Sequence, residues 1–160
     1  MVFSEQAVNS SEPSGLEDRS CDLPEALLSA SKLPFVLGVD DNPDDLLLLS
    51  YTVELCNIEF IGRASGWAAL NLVAILPPAL ILLDILLPDL NGVDFLYYIK
   101  QNPLTCNIPV IAVTALATLS DRTWLLSAGF VGYVSKPYLL EELEEIIFRH
   151  LKTGLNYVEE

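Results

Sequence analysis

The sequence predicts an α/β domain built on a doubly wound parallel sheet. Three observations carry that prediction. Short apolar runs without polar alternation recur along the chain, and such runs read as strands buried on both faces. Segments of helical length separate them, each long enough for a right-handed crossover. Four of the five runs end on polar residues, namely Asp40-Asp41, Asp84, Thr114 and Lys136. In an open parallel sheet all of these fall on one rim, where ligands bind.

The organising stretch is Ala79 to Gly92. Its apolar run, Ala79 to Leu83, leads straight into Asp84, and Pro88, Asn91 and Gly92 turn the chain away. Taken alone, Asp84 serves equally well as a cap for the next helix.

The other elements follow in order. Pro34 starts the compact domain, and Phe35 to Val39 is the first strand. Asn42 caps a helix with Pro43 in its first turn, running to about Cys56. Ile58 to Ile61 is the second strand, and Gly66 to Leu76 the second helix. Val93 to Gln101 is the third helix, and Pro109 to Val113 the fourth strand. Leu119 to Ala128 is the fourth helix, closed by Gly129. Val131 to Val134 is the fifth strand, and Leu139 to Leu151 the fifth helix. That last helix is acidic early and basic late, as its dipole favours. The domain is expected to span 34–152, before a short tail of 153–160. Residues 1–33 are an extension with a Ser-, Glu- and Pro-rich first half, which predicts disorder, and a short helix over 24–31.

Composition narrows the function. A net charge of −14 with only eight Lys plus Arg makes nucleic acid and anionic membranes poor partners. Three widely spaced cysteines without a CxxC pair fit free thiols in a reducing, cytoplasmic compartment. The single histidine, His150, lies late in the last helix and suits its dipole better than catalysis. The N-terminus has no basic start before an apolar core, so no signal peptide is expected. Ala68 to Leu83 is uncharged, but Pro77-Pro78 divides it into helix, turn and strand rather than a membrane span.

Asp40, Asp41 and Asp84 on one rim repel one another unless a cation joins them. Hard, water-accessible oxygen ligands of this kind suit Mg²⁺. Lys136 supplies a positive charge for an incoming anion, and Thr114 a hydroxyl. Together these are parts for phosphoryl transfer: a carboxylate nucleophile, a metal and two donors.

At this point the chain resembles the receiver domain of two-component response regulators, over roughly Leu33 to Leu151. The residues that carry the resemblance are Val39-Asp40-Asp41-Asn42, Leu83-Asp84-Ile85-Leu86-Leu87-Pro88 with Gly92, Val113-Thr114-Ala115, and Tyr133-Val134-Ser135-Lys136-Pro137. The resemblance implies a flavodoxin-like sheet of strand order 2-1-3-4-5. It implies Asp84 as phosphoacceptor, and Mg²⁺ held by Asp40, Asp41, Asp84 and the backbone carbonyl of Leu86. Lys136 and Thr114 would contact the phosphoryl group, Tyr133 would be the switch aromatic, and the Lys136-Pro137 bond would be cis. The implied partners are a sensor histidine kinase or histidine phosphotransfer protein and a downstream protein target. Aspartyl phosphatases of the haloacid-dehalogenase type need a second Asp two residues after the nucleophile. Leu86 stands there, so a turnover enzyme is not expected.

Few residues follow Leu151, so output is expected through protein contacts. Apolar stripes mark candidate surfaces. On helix one, Leu47, Tyr51 and Leu55 form one stripe and Leu48, Thr52 and Cys56 another, of which one should face the sheet. Helix two carries Trp67, Ala68, Ala74 and Ile75 with almost no polar face, and Trp124 stands on helix four. The extension, a homodimer, or a kinase or target are the three expected covers. These apolar surfaces keep a second function open, a receiver-like scaffold that works independently of phosphate.

Overall fold

The computed structural model describes residues 33–116 and 118–155. β1 (Phe35–Val39), β2 (Glu59–Arg63), β3 (Leu80–Leu83), β4 (Val110–Thr114) and β5 (Gly132–Ser135) alternate with α1 (Pro43–Leu55), α2 (Gly66–Ile75), α3 (Gly92–Gln101), α4 (Leu119–Ala128) and α5 (Leu140–Leu155). The strands form one parallel sheet of order β2-β1-β3-β4-β5, the order that the sequence resemblance implies. Helix over 24–31 and the last residues of the tail, 156–160, lie outside the described residues. α5 runs on to Leu155, past the helix end expected at Leu151.

Parallel strands are buried on both faces, and their side chains alternate between them. Val36, Leu80, Leu82, Ile111, Val113 and Val134 pack in one cluster with Leu49 and Val53 of α1 and with Leu143, Ile146 and Ile147 of α5. The alternate residues Leu37, Val39, Ile81 and Leu83 are fully buried and point to the opposite layer. α2 and α3 lie against each other and bury Leu72, Val73, Phe95, Leu96 and Ile99. β2 begins one residue later than the sequence suggests and runs on through Gly62 to Arg63. There Arg63 pairs with Val39, the last residue of β1.

Helix one corrects one sequence expectation. Neither i, i+4 stripe alone faces the sheet. The buried line is Leu49, Thr52 and Val53, which shares Thr52 with the second stripe and lies beyond it, on the side away from Leu47, Tyr51 and Leu55. Thr52 hides its hydroxyl by donating to Leu48 O at 2.9 Å. Leu47, Tyr51 and Leu55 stay exposed at 68%, 55% and 52%.

Two loops set the rim of the sheet. Asn42 Oδ1 caps α1 by accepting from the N–H groups of Asp44 and Asp45. The β3–α3 loop folds back so that Gly92 N–H donates to Ile85 O at 2.9 Å. A Cβ on Gly92 would stand 2.7 Å from Ile85 Cα, so only glycine fits this close approach. The same loop carries Asp89 to the start of α2. Its carboxylate accepts from Ser65 Oγ (2.8 Å), Gly66 N–H (3.1 Å) and Trp67 N–H (3.2 Å). Slight burial works against the charge of Asp89, but hydrogen bonds from Gly66, Ser65 and Trp67 outweigh it and hold the carboxyl below its ordinary value near 3.8.

Two stability outcomes follow from these loops. Gly92→Ala should destabilise the fold by about 1–3 kcal/mol through overpacking, against the better helix propensity of alanine. The midpoint of urea unfolding measures it. Asp89→Ala should cost about 0.5–2 kcal/mol near neutrality, the usual range for a lost N-terminal cap. Because the folded pKa is depressed, this contribution is present above the unfolded value and lost as pH falls through the folded one. Unfolding curves of the two proteins should therefore converge as pH falls through the folded value.

Candidate functional site

Backbone register delivers the site. β1 and β3 are neighbours with Val39 paired to Leu83, and Asp84 N–H donates to Val39 O at 2.9 Å. Asp40 and Asp84 therefore leave the sheet side by side. On the other side of β3, Thr114 pairs with Ser135, and Lys136 N–H donates to Thr114 O at 2.8 Å.

Each buried acid uses one oxygen on its own loop. Asp40 Oδ1 accepts from Asn42 N–H at 3.0 Å, and Asp84 Oδ1 accepts from Leu86 N–H at 3.1 Å. Their Oδ2 atoms meet the Lys136 ammonium at 2.8 Å and 3.4 Å. A third carboxylate, Asp45, reaches the same ammonium at 2.9 Å. Asp40, Asp41 and Asp84 each bring a carboxylate oxygen within 4.8 Å of the other two, with Asp40 and Asp84 buried and Asp41 exposed.

The electrostatics follow from this packing. Burial pushes the Asp40 carboxyl above its ordinary value, against the hydrogen bonds from Lys136 and Asn42. Burial alone would lower Lys136. The hydrogen bonds to Asp40 and Asp45 and the charges of Asp84 and Asp40 outweigh it, and Lys136 is held well above the lysine range as an ammonium. Burial, then the charge of Asp45, pushes the Tyr138 phenol up to about 12.

Thr114 is fully buried beside this group, and its Oγ1 accepts from Leu116 N–H at 3.4 Å. The Lys136–Pro137 bond is cis. Tyr133 stands apart from the acids on β5, half-buried, with the Arg122 guanidinium 5.1 Å from its ring centre. A cleft of about 350 Å³ opens beside it, lined among others by Arg122, Tyr133, Ser135, Glu142 and Arg149. Leu47, Tyr51 and Leu55 are on α1, Trp67 on α2 and Trp124 on α4. They lie exposed on helices, Trp67 in tilted contact with Tyr98 at 5.5 Å.

Sequence reasoning missed Asp45. It sits in the first turn of α1, where an acidic residue reads as a partner of the helix dipole. The available signal was its place at a helix start that leaves the functional rim.

The response regulator receiver domain family matches residues 36–148. The chain belongs to this family. It is 35% identical over 116 residues to the polar-differentiation response regulator DivK of Brucella ovis, covering 72% of this chain and 94% of DivK. It is 33% identical over 139 residues to the sensor histidine kinase GacS of Pseudomonas protegens, and 37% over 122 residues to the signal transduction histidine-protein kinase BarA of Escherichia coli. Those stretches are 82% and 72% of this chain, but it spans only 14% and 12% of the two kinases. A CheY-like receiver from Methanospirillum hungatei superposes with a TM-score of 0.70 at 28% identity, covering 78% of this chain and 98% of that one. The receiver is thus a signalling module of two-component systems rather than a turnover enzyme. No helix among the described residues is long and apolar enough to cross a membrane.

Receivers typically bind Mg²⁺ at an acidic pocket, and this donor set fits such an ion. Its three clustered carboxylates are hard oxygen ligands, two are buried, and one ammonium does not balance them. Removing that ammonium should expose the imbalance. Lys136→Met should lower stability by about 2 kcal/mol near neutrality, less than for a fully buried pair because Lys136 is partly solvated. The loss should shrink on acidification. Without the lysine the folded-state pKa of Asp40 rises further, and a raised carboxyl favours the fold at low pH. Thermal melts across the acidic range check both the size and the sign.

Proposed function

We propose that this receiver is a phosphoryl-accepting switch that signals by phosphorylation-dependent protein contacts, with Asp84 as the acceptor. The observation that carries the reading is the setting of Asp84. One oxygen is anchored on Leu86 N–H, the other faces an ammonium, and the group lies in a three-carboxylate cluster. A carboxylate oxygen of Asp84 attacks the phosphorus of a phosphohistidine on a sensor kinase or histidine phosphotransfer protein. The P–N bond breaks, the electron pair leaves with the imidazole, and an aspartyl phosphate forms.

Asp40, Asp41 and Asp84, with the Leu86 carbonyl, would hold Mg²⁺, which neutralises charge on the phosphoryl oxygens. Lys136 offers its ammonium and Thr114 its hydroxyl to the same oxygens. The new group adds roughly −1.5 to −2 charge, by analogy with other phosphorylated side chains, and pulls both donors toward Asp84. Tyr133 answers the movement of Thr114, and the cleft beside it changes shape. Leu86, exposed at 56%, offers no base to a hydrolytic water, so the aspartyl phosphate persists for signalling.

A second reading, a scaffold that binds independently of phosphate, draws on the exposed α1 stripe of Leu47, Tyr51 and Leu55. One experiment separates the two. Acetyl phosphate with Mg²⁺ should place a single phosphoryl group on the wild type, seen by intact mass. Beryllofluoride should change tryptophan fluorescence in parallel. Asp84→Asn should fold, melt cooperatively and show neither effect. A folded wild type with no adduct would overturn the switch and leave the scaffold.

A further inference from the structure

We infer that Asp45 is a positioning residue that holds the Lys136 ammonium back from Asp84 and so sets how tightly the site takes a phosphoryl group. The inference rests on the reading of Asp84 as acceptor and concerns a residue outside the implied metal ligands. An ammonium carries three N–H donors. Here it meets three carboxylates, Asp40 at 2.8 Å, Asp45 at 2.9 Å and Asp84 at 3.4 Å. The longest contact is the one to the acceptor. A phosphoryl oxygen arriving on Asp84 inherits the donor at 3.4 Å, and drawing the ammonium closer to it stretches the bonds to Asp40 and Asp45.

Asp45 is the partner that can let go. Its side chain is 36% exposed, against 1% for Asp40, so water replaces the lost bond. The capping of α1 does not need it. Asn42 Oδ1 already accepts from the N–H groups of Asp44 and Asp45, which leaves the Asp45 carboxylate to reach across to a residue 91 positions away. Releasing Lys136 from Asp45 takes free energy that is subtracted from phosphoryl binding. Asp44 is a built-in control. It has the same charge in the same helical turn, is exposed, and makes no ion pair with Lys136.

The test compares wild type, Asp45→Asn and Asp44→Asn at saturating Mg²⁺, with beryllofluoride as the phosphoryl probe and calorimetry as the readout. Asp45→Asn should tighten beryllofluoride binding by about threefold to tenfold, the scale of a partly solvated charge-assisted hydrogen bond. Asp44→Asn should change it by less than about twofold, as a screened charge without contact. A second readout needs no phosphoryl group. In Mg²⁺-free protein the Lys136 Nζ resonance should move in Asp45→Asn and stay in place in Asp44→Asn. Equal effects of the two variants on both readouts, or weaker beryllofluoride binding in Asp45→Asn, overturn the inference while the acceptor reading stands. A wild type that binds no beryllofluoride overturns both.

Discussion

One ammonium holds the functional end of this domain together. Lys136 is the cation at the meeting point of three strands and the first turn of α1, bonded to Asp40, Asp45 and Asp84. Counting Asp41, four formal negative charges face one positive charge at the rim. Like charges at this spacing repel strongly in a partly buried setting. The surplus is a standing cost to the fold, and burial adds to it by pushing the Asp40 carboxyl up. It is also what gives a divalent cation a reason to bind, since a balanced cluster would have little to gain from one. The site is therefore tuned away from its own most stable composition, as functional sites commonly are.

The sheet makes such a cluster tolerable. β1, β3 and β4 are almost entirely buried, and their apolar side chains fill both layers. Register then decides where the charges fall. A slip of one residue between β1 and β3 would turn Asp84 to the other face and break the ladder bond from Asp84 N–H to Val39 O. Gly92 closes the same loop against Ile85, so the Asp84 carboxylate is fixed from both sides of the chain. Preorganisation of this kind costs nothing at the moment of reaction.

The legible part of this protein is the part that obeys periodic rules. Uninterrupted apolar runs placed all five strands to within two residues, and the residues ending them placed Asp40, Asp41, Asp84, Thr114 and Lys136 on one rim. What escaped was long-range use of helix-start acids. Asp45 and Asp89 both read as local charges near helix N-termini. The first spans the site to Lys136, and the second caps a helix more than twenty residues earlier in the chain. A carboxylate at a helix start satisfies local rules whether or not it has a distant partner, so sequence alone does not separate the two uses. The buried face of α1 escaped for a different reason. Its leucines surround the helix, and only packing against β1 and β2 selects Leu49 and Val53 over Leu47 and Tyr51.

The acid rim and the Tyr133 cleft share β5, and this sharing gives a charge event at the rim a route to the surface. β5 is an edge strand with four residues and one neighbour, β4. Its pairing sets Ala112 against Tyr133 and Thr114 against Ser135, and the ladder ends on Lys136 N–H and Thr114 O. Thr114 and Lys136 are thus tied by their backbones as well as placed around the same carboxylate. A force that draws both toward Asp84 acts on the last rungs of the ladder that holds Tyr133. An edge strand yields more easily than the buried β1 and β3, because it has hydrogen bonds to one neighbour only. Arg122 packs over the Tyr133 ring from α4, and its Nε is buried without a hydrogen-bond partner. The buried half of the sheet places Asp84 and the edge strand carries Tyr133, the division of labour a two-state switch would use.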